Sequence, residues 1–230
     1  MTAVDPAEVA RRLEVVRARI DAAAGGREVT LVAVTKGFGA DAVRAALGLG
    51  LDLVGENYAQ ELVAKAADLD ADPVPGVVPL WHFLGRLQRN KVRHLAGVVA
   101  VWQSVDRAEL VAEIATRAPG AAVLVQANLS GEAQKGGASL AEVPALVAQG
   151  RELGLDVRGL MGVGPAGEPE AARPGFRALV ALADELGLPE RSIGMSADLE
   201  VAVEEGATMV RVGTDLFGPR PPRPSTGGGG

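Results

Sequence analysis

The sequence predicts a single-domain α/β fold, a (β/α)8 barrel of the TIM type with one extra helix at the N-terminus. Three observations predict it. Eight short aliphatic runs alternate with helix-forming segments along 230 residues, the pattern of a parallel α/β fold whose strand number closes a barrel. The first run, residues 29–36, is an unbroken β-branched and aliphatic stretch of the kind buried on both faces of a parallel sheet. It ends in Lys36-Gly37-Phe38-Gly39, which is not the glycine-rich fingerprint that an open doubly wound sheet usually carries after its first strand. The chain is shorter than the ~250 residues typical of such barrels, so its loops must be lean.

Each element has a local reason. Residues 5–24 form an amphipathic helix: Asp5-Pro6 reads as an N-cap followed by proline at the first helical position, Val9, Leu13, Val16 and Ile20 make one stripe, and Gly25-Gly26 ends it. After the Lys36 strand come a helix at 40–48, a strand at 51–54 ending in Gly55-Glu56-Asn57, a helix at 58–69 and a proline-broken loop to Pro79. A third strand covers 80–84, and the segment 85–91 leads into a helix ending near Leu95. The fourth strand is 98–102, with a helix expected from Ser104 or Asp106 to Arg117. The fifth is 121–128, followed by a polar loop at 130–137 and a helix at 140–153. The sixth is 156–161, then a Gly/Pro-rich stretch and a helix to Leu186. The seventh is 192–195, with a helix from Ser196 to Glu205, and the eighth is 208–212. The barrel domain is expected to span 1–218, and 219–230 to be a disordered Pro/Gly-rich tail.

Composition narrows the chemistry. Hydrophobic residues make up 48% but aromatics only 3%, so the core must be built from Ala, Val and Leu. The net charge of -6 argues against nucleic acid or an anionic membrane as the main partner, and no basic cluster with interleaved aromatics suggests a base-stacking platform. The absence of cysteine excludes disulfides, thiolate metal sites and cysteine nucleophiles, and two histidines, His82 and His94, make a histidine metal site a poor prospect. The acidic, arginine-rich N-terminus is no signal peptide, and no apolar run is long enough to span a membrane. A cytoplasmic protein, monomeric for want of a long apolar surface segment, is the expectation. Only four of the 23 basic residues are lysines, at 36, 65, 91 and 135, which makes each informative. Lys65, Lys91 and Lys135 read as solvated charges.

In a barrel the working residues sit at the C-terminal ends of the strands. Those ends hold Lys36, Asn57, His82, Asn128, Met161, Met195-Ser196 and residues 211–214: one nucleophilic amine, one fixed cation, several small hydrogen-bonders and no pair of carboxylates, which disfavours glycosidase-type chemistry. Lys36 alternates with Val34, Val32 and Thr30, so an inward face would hold its amine at the mouth of an apolar interior. Arg211 shares a face with Met209 and Gly213 and needs an acceptor there, from a barrel carboxylate or from a ligand. Gly213 and Thr214 offer backbone N–H groups and a hydroxyl, and Ser196 at a helix start offers the matching half of a phosphate cradle after the seventh and eighth strands. Asp198 would repel a phosphate unless its side chain turns away. His82 alternates with Trp81 and Phe83 and faces the interior if they face the helices. Amine, cradle and arginine together suggest an aldehyde-bearing phosphate held as a Schiff base on Lys36; pyridoxal 5′-phosphate fits best, and a class I aldolase would want a similar set.

Seven ordered motifs carry a resemblance. They are Val34-Thr35-Lys36; Gly55-Glu56-Asn57-Tyr58; Trp81-His82-Phe83-Leu84-Gly85 with Leu87-Gln88 and Asn90-Lys91; Ser130-Gly131-Glu132 with Lys135; Gly159-Leu160-Met161; Gly194-Met195-Ser196 with Asp198-Leu199-Glu200; and residues 210–214 with Phe217-Gly218. Over residues 30–218 the chain resembles the pyridoxal phosphate homeostasis protein family, whose barrel is that of the alanine racemase N-terminal domain. Gly39, where many members have proline, and Arg86, in a variable slot, are the small departures. The resemblance implies that Lys36 bonds the cofactor aldehyde, that Asn57 lies beside the cofactor ring, that Ser196, Gly213 and Thr214 hold the phosphate and that Arg211 faces the pyridine nitrogen. It also implies a binding protein in cofactor homeostasis that delivers the cofactor to apoenzymes, with an amino-acid racemase as the alternative. Two features favour the carrier. Arginine cannot keep the ring nitrogen protonated as a carboxylate would, and the second acid–base group that racemases of this barrel draw from a further domain has no counterpart here, Tyr58 being a poor candidate.

Overall fold

A computed structural model describes residues 4–132 and 136–220. Lys135 and the tail from residue 221 onward lie outside the described residues. Helix α1 (Pro6–Ala24) precedes the barrel, then β1 (Thr30–Val34), α2 (Ala40–Gly48), β2 (Leu53–Glu56), α3 (Ala59–Ala71), β3 (Leu80–Phe83), α4 (Arg89–Leu95), β4 (Val99–Val105), α5 (Ala108–Arg117), β5 (Ala122–Asn128), α6 (Val143–Glu152), β6 (Asp156–Val163), α7 (Arg173–Glu185), β7 (Glu190–Ser192), α8 (Leu199–Glu204), β8 (Met209–Val212) and α9 (Thr214–Phe217). All eight strands are parallel and close in sequence order, β1 pairing with β8 from Thr30 opposite Met209 to Ala33 opposite Val212. The predicted barrel and its extra helix are therefore present. Among the described residues no helix is long and apolar enough to cross a membrane.

Local chemistry explains most boundaries. Asp5 caps α1 by accepting from Ala7 N at 3.0 Å, and Val9, Leu13, Val16, Ile20 and Ala24 are its buried stripe. Several boundaries differ from the sequence reading, β2 at Leu53–Glu56 and β6 at Asp156–Val163 by two residues, and three others bear on the interior and the mouth of the barrel. Strand β4 runs on to Val105 instead of yielding to a helix at Ser104: both Gln103 and Ser104 are buried, and Gln103 bonds inside the barrel to His82 and Ser192. Strand β7 is shifted back to 190–192, and the chain leaves it through Gly194 at φ +94°, a conformation L side chains rarely adopt. Helix α8 starts only at Leu199, so Ser196 lies in a turn ahead of the helix.

Strand alternation divides the core in two. Outward residues such as Ala33, Val54, Trp81, Phe83, Val123, Val125 and Val210 pack against the helices in one continuous cluster; Phe83 and Trp102 stack tilted at 6.4 Å. Inside the barrel the apolar cluster is small, Val101, Ala122, Leu124 and Met161. Beside it runs a polar chain. Arg211 Nη1 donates to Ser192 Oγ at 2.7 Å, Ser192 Oγ donates to Gln103 Oε1 at 2.7 Å, and Gln103 Nε2 lies 2.6 Å from His82 Nδ1 and 3.1 Å from Met209 Sδ. With Gln103 donating, His82 Nδ1 is the acceptor and the ring is neutral. Burial, aided by the positive charge of Arg158, pushes the His82 pKa down to about 4. His82 is thus a satisfied interior residue, and it lies outside the cavity described below.

The depressed pKa makes an acid-stability prediction. The unfolded chain takes up a proton on His82 below pH ~6.5, whereas the folded chain resists until about pH 4. Stability is therefore lost as pH falls through that window, by about 3 kcal/mol from this residue. Denaturant melts of the wild type and His82→Gln at pH 7 and pH 4.5 should show the wild type losing more on acidification; equal losses would refute the assignment.

Candidate functional site

The C-terminal mouth of the barrel holds a cavity of about 510 Å³, within the range of small-molecule sites. All six residues singled out from the sequence line it: Lys36, Asn57, Ser196, Arg211, Gly213 and Thr214. Of the other strand-end residues, Met161 and Met195 also line it. Asn128 does not; its Oδ1 accepts from Ser130 N and Gly131 N and its Nδ2 donates to Glu132 O, so it shapes the following loop.

Lys36 follows β1 in a tight turn whose peptides are held from both sides. Thr35 N donates to Gly55 O at 3.0 Å, Lys65 Nζ donates to Thr35 O at 2.7 Å, and Gly37 N donates to Glu61 Oε2 at 2.8 Å. Lys65 and Glu61 sit one turn apart on α3, so that helix clamps the backbone immediately before and after Lys36. The Lys36 amine itself makes no hydrogen bond or ion pair to a described residue. Its pKa is pushed below the usual lysine range, first by burial and then by the positive charges of Arg220 and Arg211, against a smaller pull from Glu56. A desolvated, partner-free amine is the form of lysine suited to attack a carbonyl.

The sequence reading of Lys65 as a surface charge is corrected here. Lys65 is 5% exposed and pairs directly with Glu56, which is fully buried and also accepts from Thr35 Oγ1 at 2.7 Å. Glu56 faces the core because β2 alternates, and the lysine on α3 follows it in to supply the opposite charge. Burial pushes the Glu56 carboxyl up against the pull of Lys65, and its Oε2 has no partner among the described residues.

On the other side of the cavity Arg211 is buried, with Nη1 donating to Ser192 O at 2.6 Å and to Ser192 Oγ, and Nη2 to Gly162 O at 2.9 Å. No described carboxylate lies within ion-pairing distance, which sets aside the structural ion pair. Burial pushes its pKa down to about 10, so it stays charged at neutral pH. Ser196 and α9 form the third wall: Asp215 N donates to Ser196 Oγ at 3.3 Å, and Thr214 opens the short helix, where first-turn N–H groups lack intrahelical partners. A Cβ on Gly213 would lie 2.9 Å from Val34 O, so only glycine lets this loop lie against β1. Asp198 is turned back, its Oδ1 accepting from Met195 N at 2.7 Å, which removes the expected clash with an anion.

Two contributors were not visible in the sequence. Arg19 of α1 donates from Nε and Nη2 to the Glu200 carboxylate at 2.6 and 2.9 Å, from Nη2 to Ser196 O at 3.0 Å and from Nη1 to Asp215 Oδ2 at 2.5 Å. It ties both loops of the Ser196/Thr214 wall to the extra helix and holds the Glu200 carboxyl below its ordinary range. Arg220 returns to the mouth beside Lys36. Neither had a local signal, since their partners lie far away in sequence.

Comparison with known proteins agrees with this geometry. Residues 4–221 match the family model of the alanine racemase N-terminal domain. The pyridoxal phosphate homeostasis protein of Pseudomonas aeruginosa is 41% identical over 92% of this chain and 96% of its own length, and that of Aquifex aeolicus is 42% identical over 83% and 86%. The chain belongs to this family. Solved structures of PipY from Synechococcus elongatus, one without pyridoxal phosphate and one with it bound, are 34% identical and cover 91% of this chain and 100% of theirs, at TM-scores of 0.81 and 0.76. Alanine racemase from Corynebacterium glutamicum, 18% identical at a TM-score of 0.69, shares the fold, and 63% of its length is covered.

The buried pair under Lys36 yields a prediction. Lys65→Met should cost about 3–5 kcal/mol by leaving Glu56 buried and unpaired, and Glu56→Gln/Lys65→Met should recover part of the loss because no charge remains. Urea melts of both variants decide it; a single variant within 1 kcal/mol of wild type, on the order of a surface substitution, would show that the pair is not formed.

Proposed function

We propose that this protein binds pyridoxal 5′-phosphate in the barrel mouth and serves intracellular homeostasis of that cofactor, handing it on to apoenzymes. The observation that carries the proposal is the convergence, in one cavity, of a partner-free desolvated lysine, a buried arginine without a carboxylate, and a hydroxyl-and-backbone cradle. The relatives support it: homologues at about 40% identity bear the homeostasis name, and PipY has been solved with pyridoxal phosphate bound.

The residues fit the cofactor. Lys36 supplies the neutral amine for the aldehyde, positioned by the α3 clamp. Ser196, Gly213 and Thr214 receive the phosphate, with Arg19 fixing their loops from behind. Arg211, whose charge meets no ion pair and is only drawn on from a distance by Asp198, would face the pyridine nitrogen, and Asn57 would lie beside the ring. Bound pyridoxal phosphate supplies an aldehyde that condenses with primary amines and a ring that can withdraw electrons. The chain's own groups do little to exploit that second property. Arg211 can donate a hydrogen bond to a ring nitrogen but is too weak an acid to give up its proton at neutral pH, and among the described lining residues Lys36 is the only titratable side chain besides the arginines. We read the protein as a cytoplasmic, monomeric carrier with no sustained turnover of amino acids.

The test is direct. Wild type mixed with pyridoxal phosphate should gain visible absorption, and borohydride followed by mass spectrometry should place the adduct on Lys36; Lys36→Ala should lose both. No uptake, or an unchanged spectrum in Lys36→Ala, sinks the assignment, and steady racemisation of added alanine sinks the carrier reading. The electrostatics give a second outcome. Attachment needs the neutral amine, so it rises with pH through the Lys36 pKa, which Arg220 helps to hold down. In Arg220→Ala the midpoint of an absorbance–pH titration should move to higher pH; a midpoint that stays put would show that Arg220 does not act on Lys36.

A further inference from the structure

Residues 86–94 read Arg-Leu-Gln-Arg-Asn-Lys-Val-Arg-His, four cations without a carboxylate, in a chain with 23 basic against 29 acidic side chains. Leu87, Val92 and Leu95 are buried against the core, which turns Arg86, Arg89 and Arg93 out to solvent and leaves Lys91 half-buried. The fold then adds Arg107 and Arg117 from β4–α5 to the same surface. Two concavities lie side by side there. One, of about 540 Å³, shares Asn57 and Arg86 with the barrel-mouth cavity and is lined further by Tyr58, Gln88, Lys91 and Arg107. The other, of about 670 Å³, continues from Gln88 and Arg107 to Arg89, Arg93 and Arg117.

The carboxylates present neutralise only part of this charge. Glu113 pairs with Arg89 at 2.8 Å and with Arg117 at 3.0 Å, and Arg107 is held by Asp106 at 2.6 Å and by Leu87 O at 2.8 Å. Arg86, Lys91 and Arg93 meet no carboxylate among the described residues. A track of positive charge thus begins at the rim of the cofactor cavity and extends away from it over α4 and α5. Its breadth exceeds one phosphate group, and of the two aromatic rings lining it Phe83 is buried and only Tyr58 is exposed, so stacked bases would find little to rest on. An acidic protein surface matches both the charge and the extent, and its docking would place it over the cavity rim that Asn57 and Arg86 share.

We propose that this face docks an acidic surface of the protein that accepts the cofactor; the inference rests on the carrier reading above and names where the acceptor sits. Complementary charge of this kind accelerates encounter and weakens with salt. The probe is the purified apo form of an aminotransferase with net negative charge. Arg89→Glu/Arg93→Glu removes charge from the face without touching the cofactor cavity, and Arg11→Glu/Arg17→Glu on the exposed side of α1 is the charge-matched control. By interferometry, cofactor-free wild type should bind the apoenzyme with an affinity that falls as salt rises. The face variant should bind at least tenfold more weakly and the control within twofold. With loaded protein, the face variant should keep the bound-cofactor spectrum and transfer at least tenfold more slowly. Equal weakening in both variants, no binding by wild type, or a transfer rate independent of apoenzyme concentration would overturn the proposal. So would tighter binding of a 20-nucleotide RNA that is lost in the face variant. A wild type that binds the apoenzyme through this face but takes up no pyridoxal phosphate would refute the cofactor reading and leave the docking face standing.

Discussion

A guanidinium buried in the centre of a barrel has to be solvated by the barrel itself, and much of the interior follows from meeting that need for Arg211. Its terminal nitrogens draw on the carbonyls of Gly162 and Ser192 and on the Ser192 hydroxyl. The hydroxyl passes its proton to Gln103, and the Gln103 amide reaches His82. Residues from β8, β7, β6, β4 and β3 are thereby joined in a single directed chain of hydrogen bonds. Every acceptor in it is neutral. The charge of Arg211 is hydrogen-bonded and drawn on by Asp198 without an ion pair, which distinguishes it from one half of a finished structural salt bridge.

The opposite wall is built on the contrary principle. Glu56 and Lys65 cancel each other under the Lys36 turn, and α3 uses Lys65 and Glu61 to hold the peptides on either side of that lysine. Lys36 is left as the only amine in the cavity without a partner among the described residues. Position comes from the neutral pair and reactivity from burial plus the positive charges of Arg220 and Arg211. Arg19 performs the same service for the Ser196/Thr214 wall from α1, which gives the extra helix a role beyond covering the barrel's side.

The sequence by itself determined the barrel and the six residues that line the cavity at its mouth. Alternation along a strand and the rule that barrel chemistry sits at strand C-termini are local properties, so Lys36, Asn57, Ser196, Arg211, Gly213 and Thr214 could be collected before any contact was known, and all six line one cavity. Tertiary structure decided what the remaining charges do. Lys65 looked like a surface residue because its partner is set by how α3 packs on β2, and Ser196 looked like a helix start, whereas the chain passes through Gly194 at positive φ and α8 begins only at Leu199. Arg19 meets Glu200 and Asp215 only because barrel closure brings the chain's two ends together. A charge's role depends on which distant side chain shares its desolvated space, and no sequence period encodes that.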